Sequence, residues 1–194
     1  MMKILYTNFH RSTTFGGHSI YISRLAQNLA DRYSITVAAP PGCGLLRLAG
    51  EIPNVNTFPV DFTSRVYRMI APARKLRLLL LKENFDIIHV NGSSDHKLVI
   101  LASLFLKKKP KIVFTKHNDQ PISAVNSLIR AWLGTDRVIA VCGHVQKKLA
   151  ATPMHGSVFQ PSSMASTRSI FNRWLMTISA PSEGSTLAMS SPAE

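Results

Sequence analysis

Polar residues that could bind or activate a ligand stand at the ends of several short apolar segments of the chain. Each of three segments closes with such a pair: Asn8 with His10, Asn91 with Gly92, and His117 with Asn118. A glycine pair, Gly16 and Gly17, stands between the first segment and a helical pattern. Glycine lets a ligand approach the backbone closely, and the first N–H groups of a helix lack partners within the helix. We therefore expect an anion or a sugar hydroxyl to bind beside this glycine pair.

The elements that must position these residues alternate between strand and helix patterns. Apolar runs predict strands at 3–8, 34–39, 55–60, 85–92, 111–119 and 136–141, and helical spacing predicts helices at 18–32, 64–84, 95–107, 122–133 and 143–151. This alternation predicts an α/β fold with a doubly wound, Rossmann-like parallel sheet. Because the carboxyl ends of parallel strands share one edge of a sheet, the polar pairs and the glycine pair should meet there.

Three parts of the chain are predicted to depart from this regular alternation. Residues 42–54 are rich in turn formers and are predicted as a loop, while Pro72 is expected to kink or split the helix at 64–84. After about residue 156 lysine disappears and serine becomes frequent. We therefore predict a folded domain at 1–154 and an irregular serine-rich tail at 155–194, with one short helix near 169–178.

The spacing around the glycine pair argues against two common nucleotide-binding loops. The run from Phe15 to His18 has neither the Gly-x-Gly-x-x-Gly spacing of dinucleotide-binding proteins nor the spacing of a phosphate-cradling P-loop. A nicotinamide enzyme and a P-loop ATPase are therefore disfavoured. Cys43 and Cys142 lack metal-type spacing, and we expect two reduced thiols and no metal site in a cytoplasmic protein.

The formal charge of +13 on 194 residues indicates an anionic partner. Basic residues occupy much of the helix predicted at 64–84: Arg65, Arg68, Arg74, Lys75, Arg77 and Lys82. Two interpretations stay open, a solvated basic face and an amphipathic element that contacts anionic lipid headgroups. Nucleic acid is not expected as a partner, because the aromatic residues do not interleave with the basic ones. No apolar run approaches the ~20 residues that a spanning helix needs.

From Met2 to about Ala151 the chain resembles the N-terminal, acceptor-side domain of GT-B glycosyltransferases of family GT4. Four segments carry the resemblance: Lys3–Asn8 with the glycine pair and the helix after it, Phe85–Asn91, Ile112–His117, and Asp136–Val141 with the helix that follows. The family commonly has a serine after the last of these segments, where this chain has Cys142.

The resemblance implies an enzyme that moves a sugar from a nucleotide-sugar to the hydroxyl of a glycan or glycolipid acceptor, usually with retention and without a metal or other cofactor. It places Gly16 and Gly17 near the diphosphate of the donor and His117 near the transferred sugar, as the catalytic candidate. Asn91 and Asn118 are the remaining substrate-binding candidates. A purely structural role for His117 stays open, as it does for the glycine pair. For His89, midway along its strand, core packing is favoured.

The resemblance also implies a second, donor-binding domain, and nothing after Thr152 matches its sequence pattern. We therefore expect half of a transferase that is inactive alone, arising either from a truncated reading frame or as a natural one-domain protein. Its expected role is in lipopolysaccharide or other cell-surface polysaccharide synthesis, in the cytoplasm or on the cytoplasmic face of the membrane. The alternative is a non-catalytic module or remnant that binds an anionic glycolipid.

Overall fold

The strands form where short apolar runs are covered on both faces, as in the fully buried pair Ile4 and Leu5. A computed structural model describes residues 1–63, 65–117, 124–150, 152 and 158–159. The strands are β1 (Lys3–Thr7), β2 (Ser34–Ala39), β3 (Val55–Pro59), β4 (Ile87–Val90), β5 (Lys111–Lys116), β6 (Arg137–Ala140) and β7 (Val158–Phe159). The helices are α1 (Gly17–Leu29), α2 (Gly44–Gly50), α3 (Ile70–Glu83), α4 (Ser93–Ser103), α5 (Ala124–Leu133) and α6 (Gly143–Ala150).

All seven strands pair in parallel in the order β3-β2-β1-β4-β5-β6-β7. The chain builds outward from β1 to β3, returns to place β4 on the other side of β1, and then builds outward again. The direction of winding therefore reverses between β1 and β4, where Thr7 lies beside Val90. In open α/β sheets the crevice at this reversal is where ligands bind. The prediction of a doubly wound parallel sheet is confirmed.

One large apolar cluster covers a face of the sheet. It joins Leu5 of β1 and Ile88 of β4 to Leu76 and Leu80 of α3 and to Leu98 of α4. Such a cluster forms because alternate strand residues point to the same face, and the apolar stripe of each helix packs onto them. Burial of this cluster fixes the two strands that flank the reversal point.

The segment at 42–54 was predicted as a loop, and that prediction is wrong, because Gly44–Gly50 forms α2. Leu45 and Ala49 are buried four residues apart, on one side of this short helix. A glycine at each end of the helix hid this spacing in the sequence. Gly44 also positions the loop that precedes α1, since its N–H donates to the carbonyl of Ser12 at 2.9 Å.

The single helix predicted at 64–84 is split, as one of the two expectations for it had it, but the break lies before Pro72 and Pro72 itself does not interrupt α3. A 3₁₀ turn at Val66–Arg68 precedes α3, which starts at Ile70, so Pro72 lies in the first turn of the helix. The first N–H groups of a helix have no partner within it, and proline is therefore tolerated there. The helix ends at Asn84, whose φ of 53° provides a left-handed cap.

We predict that Gly92→Ala destabilises the domain, because a methyl group there would overlap the Phe9 ring and lie 2.8 Å from Asp95 Oδ1. The expected loss is about 1–3 kcal/mol in the free energy of unfolding, measured by urea denaturation. Gly17→Ala is the matched control. A Cβ at Gly17 meets nothing within 4 Å, and alanine is favoured over glycine in a helix by up to about 1 kcal/mol. Equal stability of the two variants would contradict the prediction, because it would show that the Phe9 ring can move away from the added methyl group without a loss of stability.

Candidate functional site

A pocket of about 300 Å³ opens at the carboxyl edge of the sheet, where the winding reverses. The ends of β1, β4 and β5 and the starts of α1 and α4 supply its walls. The residues that line it are Phe9, His10, His18, Asn91, Gly92, Ser93, Ser94, Phe114, Thr115, Lys116 and His117. Three of the predicted polar positions, His10, Asn91 and His117, therefore meet at one edge. Among the described residues that line the pocket, Lys116 is a cation and none is a carboxylate.

Aromatic rings hold His117 in place at the wall of this pocket. The His117 ring lies 4.1 Å from the ring of His18 and 5.1 Å from that of Tyr21, measured between centroids. His18 in turn contacts His10 at 4.7 Å, and His10 contacts Phe9 at 4.2 Å. The loop after β1 and the first turn of α1 thus pack against the residue that closes β5.

This packing keeps the imidazole of His117 neutral. Burial, together with a smaller contribution from the neighbouring His18 and His10, lowers the pKa of His117 to about 3. Burial also lowers the pKa values of His10 and His18, the latter with a contribution from His10. A neutral imidazole offers one N–H donor and one acceptor nitrogen. At neutral pH the His117 side chain can therefore exchange hydrogen bonds with a ligand but does not supply a positive charge.

Asn91 joins His117 to the ends of β1 and β4. Its side chain is 1% exposed, and its Nδ2 donates to the carbonyl oxygens of Thr7 at 3.1 Å and His89 at 3.3 Å. Its Oδ1 lies 3.2 Å from His117 Nε2. That Asn91 also binds substrate stays a prediction.

The backbone of Asn91 is held by a buried carboxylate at the start of α4. The N–H of Asn91 donates to Asp95 Oδ2 at 3.0 Å, and Thr7 Oγ1 donates to the same oxygen at 2.8 Å. Burial raises the pKa of Asp95 to about 7, and these hydrogen bonds oppose the rise. The sequence offered one signal for this role, an acid in the first turn of a helix that follows a polar strand end.

The glycine pair stands at the start of α1, as expected. Gly16 is the N-cap with an extended backbone (φ −91°, ψ 170°), and a Cβ at Gly16 or Gly17 would meet nothing within 4 Å. Neither the backbone conformation nor the packing of the described residues therefore requires glycine here. The first turn of α1 carries no acidic side chain to offset the helix dipole. Open space above unpaired N–H groups is compatible with the predicted anion or hydroxyl site, which stays a prediction.

Other predicted positions have different surroundings. His89 is fully buried, as expected, and its Nε2 lies 2.6 Å from Thr115 Oγ1. Asn118 lies outside the described residues, and so does the short helix predicted near 169–178. Of the tail predicted as irregular at 155–194, Val158 and Phe159 are described, and they form β7. Asn8 is buried and does not line the pocket, and its Oδ1 accepts from the N–H of His10 at 3.3 Å. Within the part of the chain that the structure describes, no group of three or more His, Cys, Asp or Glu residues is arranged to hold a metal ion.

The predicted basic surface is exposed except at one position. Arg65, Arg68, Arg74, Lys75 and Lys82 are exposed. Arg77 is half-buried and donates to the carbonyl oxygens of Ala102, at 3.1 Å, and Leu104. Its charge caps the C-terminal end of α4, so Arg77 is removed from the basic surface. Among the described helices, none is long and apolar enough to cross a bilayer.

The sequence of the chain matches one protein family. The family model described as Glycosyltransferase Family 4 matches residues 15–157, which is most of the chain. The chain therefore belongs to glycosyltransferase family 4. The predicted resemblance to the N-terminal domain of GT-B glycosyltransferases is confirmed. No curated protein has a matching sequence.

Solved structures share the fold. A glycosyltransferase from Rickettsia africae has a TM-score of 0.65 at 14% identity, covering 94% of this chain and 50% of that chain. HepE of Anabaena, solved with UDP and glucose, has a TM-score of 0.60 at 16% identity, with coverages of 82% and 44%. A UDP-N-acetylglucosamine 2-epimerase from Rickettsia bellii has a TM-score of 0.57 at 15% identity, with coverages of 92% and 48%. The chain spans about half the length of these three proteins, and the likeness concerns the fold.

The buried histidines should make the stability of the domain depend on pH. Burial lowers the pKa of His89 from 6.5 to about 3, so the unfolded chain takes up a proton there before the folded chain does. The stability that goes with neutral His89 is complete above about pH 6.5 and is lost as the pH falls toward 3, by about 1.4 kcal/mol per pH unit. His117 acts in the same direction. Asp95, with its raised pKa, acts in the opposite direction between about pH 4 and 7.

Urea unfolding between pH 4.5 and 6 tests this linkage, because this range of roughly 1.5 pH units lies within the titration ranges of both His89 and Asp95. The unfolding free energy of the unchanged chain should fall with falling pH. His89→Leu should make that dependence shallower, and Asp95→Asn should make it steeper, whatever each variant does to absolute stability. Parallel dependences for all three proteins would contradict the assignment.

Proposed function

We propose that this chain supplies the acceptor-side half of a glycosyltransferase that moves a sugar from a nucleotide-sugar to an acceptor hydroxyl. The observation that carries the proposal is the pocket at the reversal point of the sheet, which brings His117 and the start of α1 to one edge. Membership of family 4 supports the reaction class. HepE of Anabaena, which shares the fold, binds UDP and glucose.

The residues take the roles that their surroundings favour. His117, neutral and fixed by rings, contacts the transferred sugar as the catalytic candidate. The backbone N–H groups at Gly16 and Gly17 face the diphosphate, since the N-terminal end of a helix attracts anions. Asn91 and Asn118 complete the proposed substrate contacts.

The donor-binding half would come from outside the described domain. The chain covers between 44% and 50% of the three related structures, and we propose that the domain is inactive without a second one. A nucleotide held in the cleft between two domains needs both walls for its electrostatic stabilisation. Whether the second wall belongs to another polypeptide or to a longer form of this one does not alter the role proposed for this domain.

We further propose that the acceptor is a glycan or glycolipid of cell-surface polysaccharide or lipopolysaccharide synthesis, reached at an anionic membrane surface. The outward side of α3 supports this. Its apolar residues Leu78 and Leu81 are 68% and 51% exposed, and they alternate with Arg74, Lys75 and Lys82. Apolar side chains flanked by cations suit the boundary between lipid headgroups and acyl chains. A non-catalytic module that binds an anionic glycolipid is the second candidate, favoured by the same surface.

Ligand binding should separate these candidates. We expect the purified chain, titrated with UDP-glucose and GDP-mannose and followed by NMR, to show shifts at Gly16, Gly17 and His117 and no sugar transfer or hydrolysis. His117→Gln, which removes the imidazole, and Gly17→Ala should each weaken binding by roughly tenfold or more. For Gly17→Ala the reason is that a methyl group at the closest approach costs about 1–3 kcal/mol. His144→Gln, an exposed change outside the pocket, is the control.

The three results of this titration have distinct meanings. Turnover by the chain alone would overturn the claim that it is incomplete. Absence of shifts in the pocket with either nucleotide-sugar would overturn the donor role and leave the glycolipid-binding module. Equal weakening by His144→Gln would show that the effect is not local to the pocket.

Membrane contact is tested by co-sedimentation with vesicles. The chain should bind vesicles that contain phosphatidylglycerol and should not bind neutral phosphatidylcholine vesicles. Each cation near an anionic surface contributes about 1 kcal/mol to the free energy of binding. The double variant Arg74→Gln with Lys82→Gln should therefore weaken binding by about 2 kcal/mol, which lowers the partition coefficient roughly thirtyfold. Arg24→Gln with Arg32→Gln removes the same charge elsewhere on the exposed surface and should have a smaller effect. Equal binding to both lipids, unaffected by salt, would remove α3 from the proposal.

A further inference from the structure

The orientation of the Asn91 side-chain amide is fixed by its surroundings. Two backbone carbonyl oxygens, those of Thr7 and His89, lie within hydrogen-bond distance of one end of the amide, at 3.1 and 3.3 Å. A carbonyl oxygen can only accept, so the NH₂ group must face this pair. The other end, Oδ1, must then face His117 Nε2, which lies 3.2 Å away.

This orientation has a consequence for the imidazole of His117. Because Asn91 Oδ1 can only accept, the hydrogen bond forms when Nε2 of His117 carries the proton. A neutral imidazole has a single N–H, so Nδ1 then carries a lone pair. Among the described residues Nδ1 of His117 has no hydrogen-bond partner, and His117 lines the pocket.

We propose that Asn91 is a positioning residue that fixes His117 in the Nε2–H form and so leaves Nδ1 as a hydrogen-bond acceptor for the ligand. The partner that suits such a nitrogen is a group with a proton to donate, such as a sugar hydroxyl. The diphosphate oxygens of a nucleotide-sugar carry no proton at neutral pH and do not suit it. The identification of the ligand as a sugar rests on the function proposed above. The position of the proton on His117 is inferred from the contacts of Asn91 alone.

The support behind Asn91 explains why one tautomer would persist. Asp95 accepts from the backbone N–H of Asn91 and from Thr7 Oγ1, and this holds the backbone of Asn91 in place. The amide itself cannot turn without breaking its hydrogen bonds to the carbonyl oxygens of Thr7 and His89. Burial lowers the pKa of His117 to about 3, which keeps its ring neutral throughout the neutral range. A flip of the amide would place Oδ1 against two carbonyl oxygens and turn the NH₂ group toward the N–H at Nε2 of His117. Each buried polar group left without a partner is strongly unfavourable.

Long-range ¹H–¹⁵N NMR of the uniformly ¹⁵N-labelled, ligand-free chain at pH 7 tests the tautomer directly. His117 should show the pattern of a ring protonated at Nε2, with Nδ1 resonating as an unprotonated nitrogen. Asn91→Leu, which keeps the volume and removes the acceptor, should give averaged nitrogen shifts that indicate exchange between tautomers. Asn8→Leu removes a second buried amide from the same edge of the sheet, and the His117 pattern should be unchanged.

A pattern of protonation at Nδ1 in the unchanged chain would overturn the proposal, and this measurement does not require any variant to fold. An averaged pattern in the Asn8→Leu variant would also overturn it, because the effect would then not belong to Asn91.

Titration of the unchanged chain separates this inference from the proposed function. Binding of UDP-glucose should shift Nδ1 of His117 away from the position of a free lone pair, while inorganic sulfate, which carries no proton at pH 7, should leave it in place. The Nε2–H pattern with a response to sulfate alone would overturn the assignment of a hydroxyl donor. The Nε2–H pattern without a response to UDP-glucose would count against the nucleotide-sugar function and leave the role of Asn91 intact.

Discussion

The hydrogen bonds of one buried amide hold together the edge of the sheet on which the site is built. Asn91 binds the carbonyl at the end of β1, the carbonyl of His89 in β4 and the imidazole that follows β5. These three strands are adjacent in the sheet, and the first two flank the point where its winding reverses. A parallel sheet leaves polar backbone groups unpaired at its carboxyl edge, and burial makes each of them costly. Asn91 donates to two carbonyl groups near this edge, those of Thr7 and His89, and also orients a side chain toward the pocket.

Other features of the edge follow from the need to bury this amide. Gly92 has to lack a side chain because the Phe9 ring occupies the place of its Cβ. Phe9 in turn begins the run of rings that ends at His117. Asp95 is buried with its carboxylate against the backbone of Asn91, an arrangement that places an acid at the favourable end of α4. Packing and hydrogen bonding are thus satisfied by the same few residues, and that is typical of sites held rigid before a ligand arrives.

Much of the architecture could be predicted from the sequence because it depends on local patterns. β2 has the predicted bounds, Ser34–Ala39, because a buried apolar run ends at a proline. α2 was missed because the two apolar side chains that it buries, those of Leu45 and Ala49, are too few to establish a helical period. The location of the site at the carboxyl edge of the sheet was predictable from the polar residues at the strand ends. The contacts of Asp95 with Thr7 and of His117 with His18 join residues distant in the chain, and no local pattern encodes them.

The glycine pair at the start of α1 differs from the other glycines near the site. Gly44 and Gly92 are required by atoms of the chain itself, since a Cβ at either would press against the loop before α1 or against Phe9. Gly16 and Gly17 face open space with ordinary backbone angles. Gly16 is the N-cap, a position where glycine is preferred over alanine, so the entropic cost of glycine arises at Gly17, the first residue of α1. Glycine within a helix loses more conformational entropy on folding than alanine, a cost of up to about 1 kcal/mol. The stability of the domain does not account for that cost. A requirement for close approach by a molecule outside the described chain does account for it, and this is the strongest physical argument for a ligand at the start of α1.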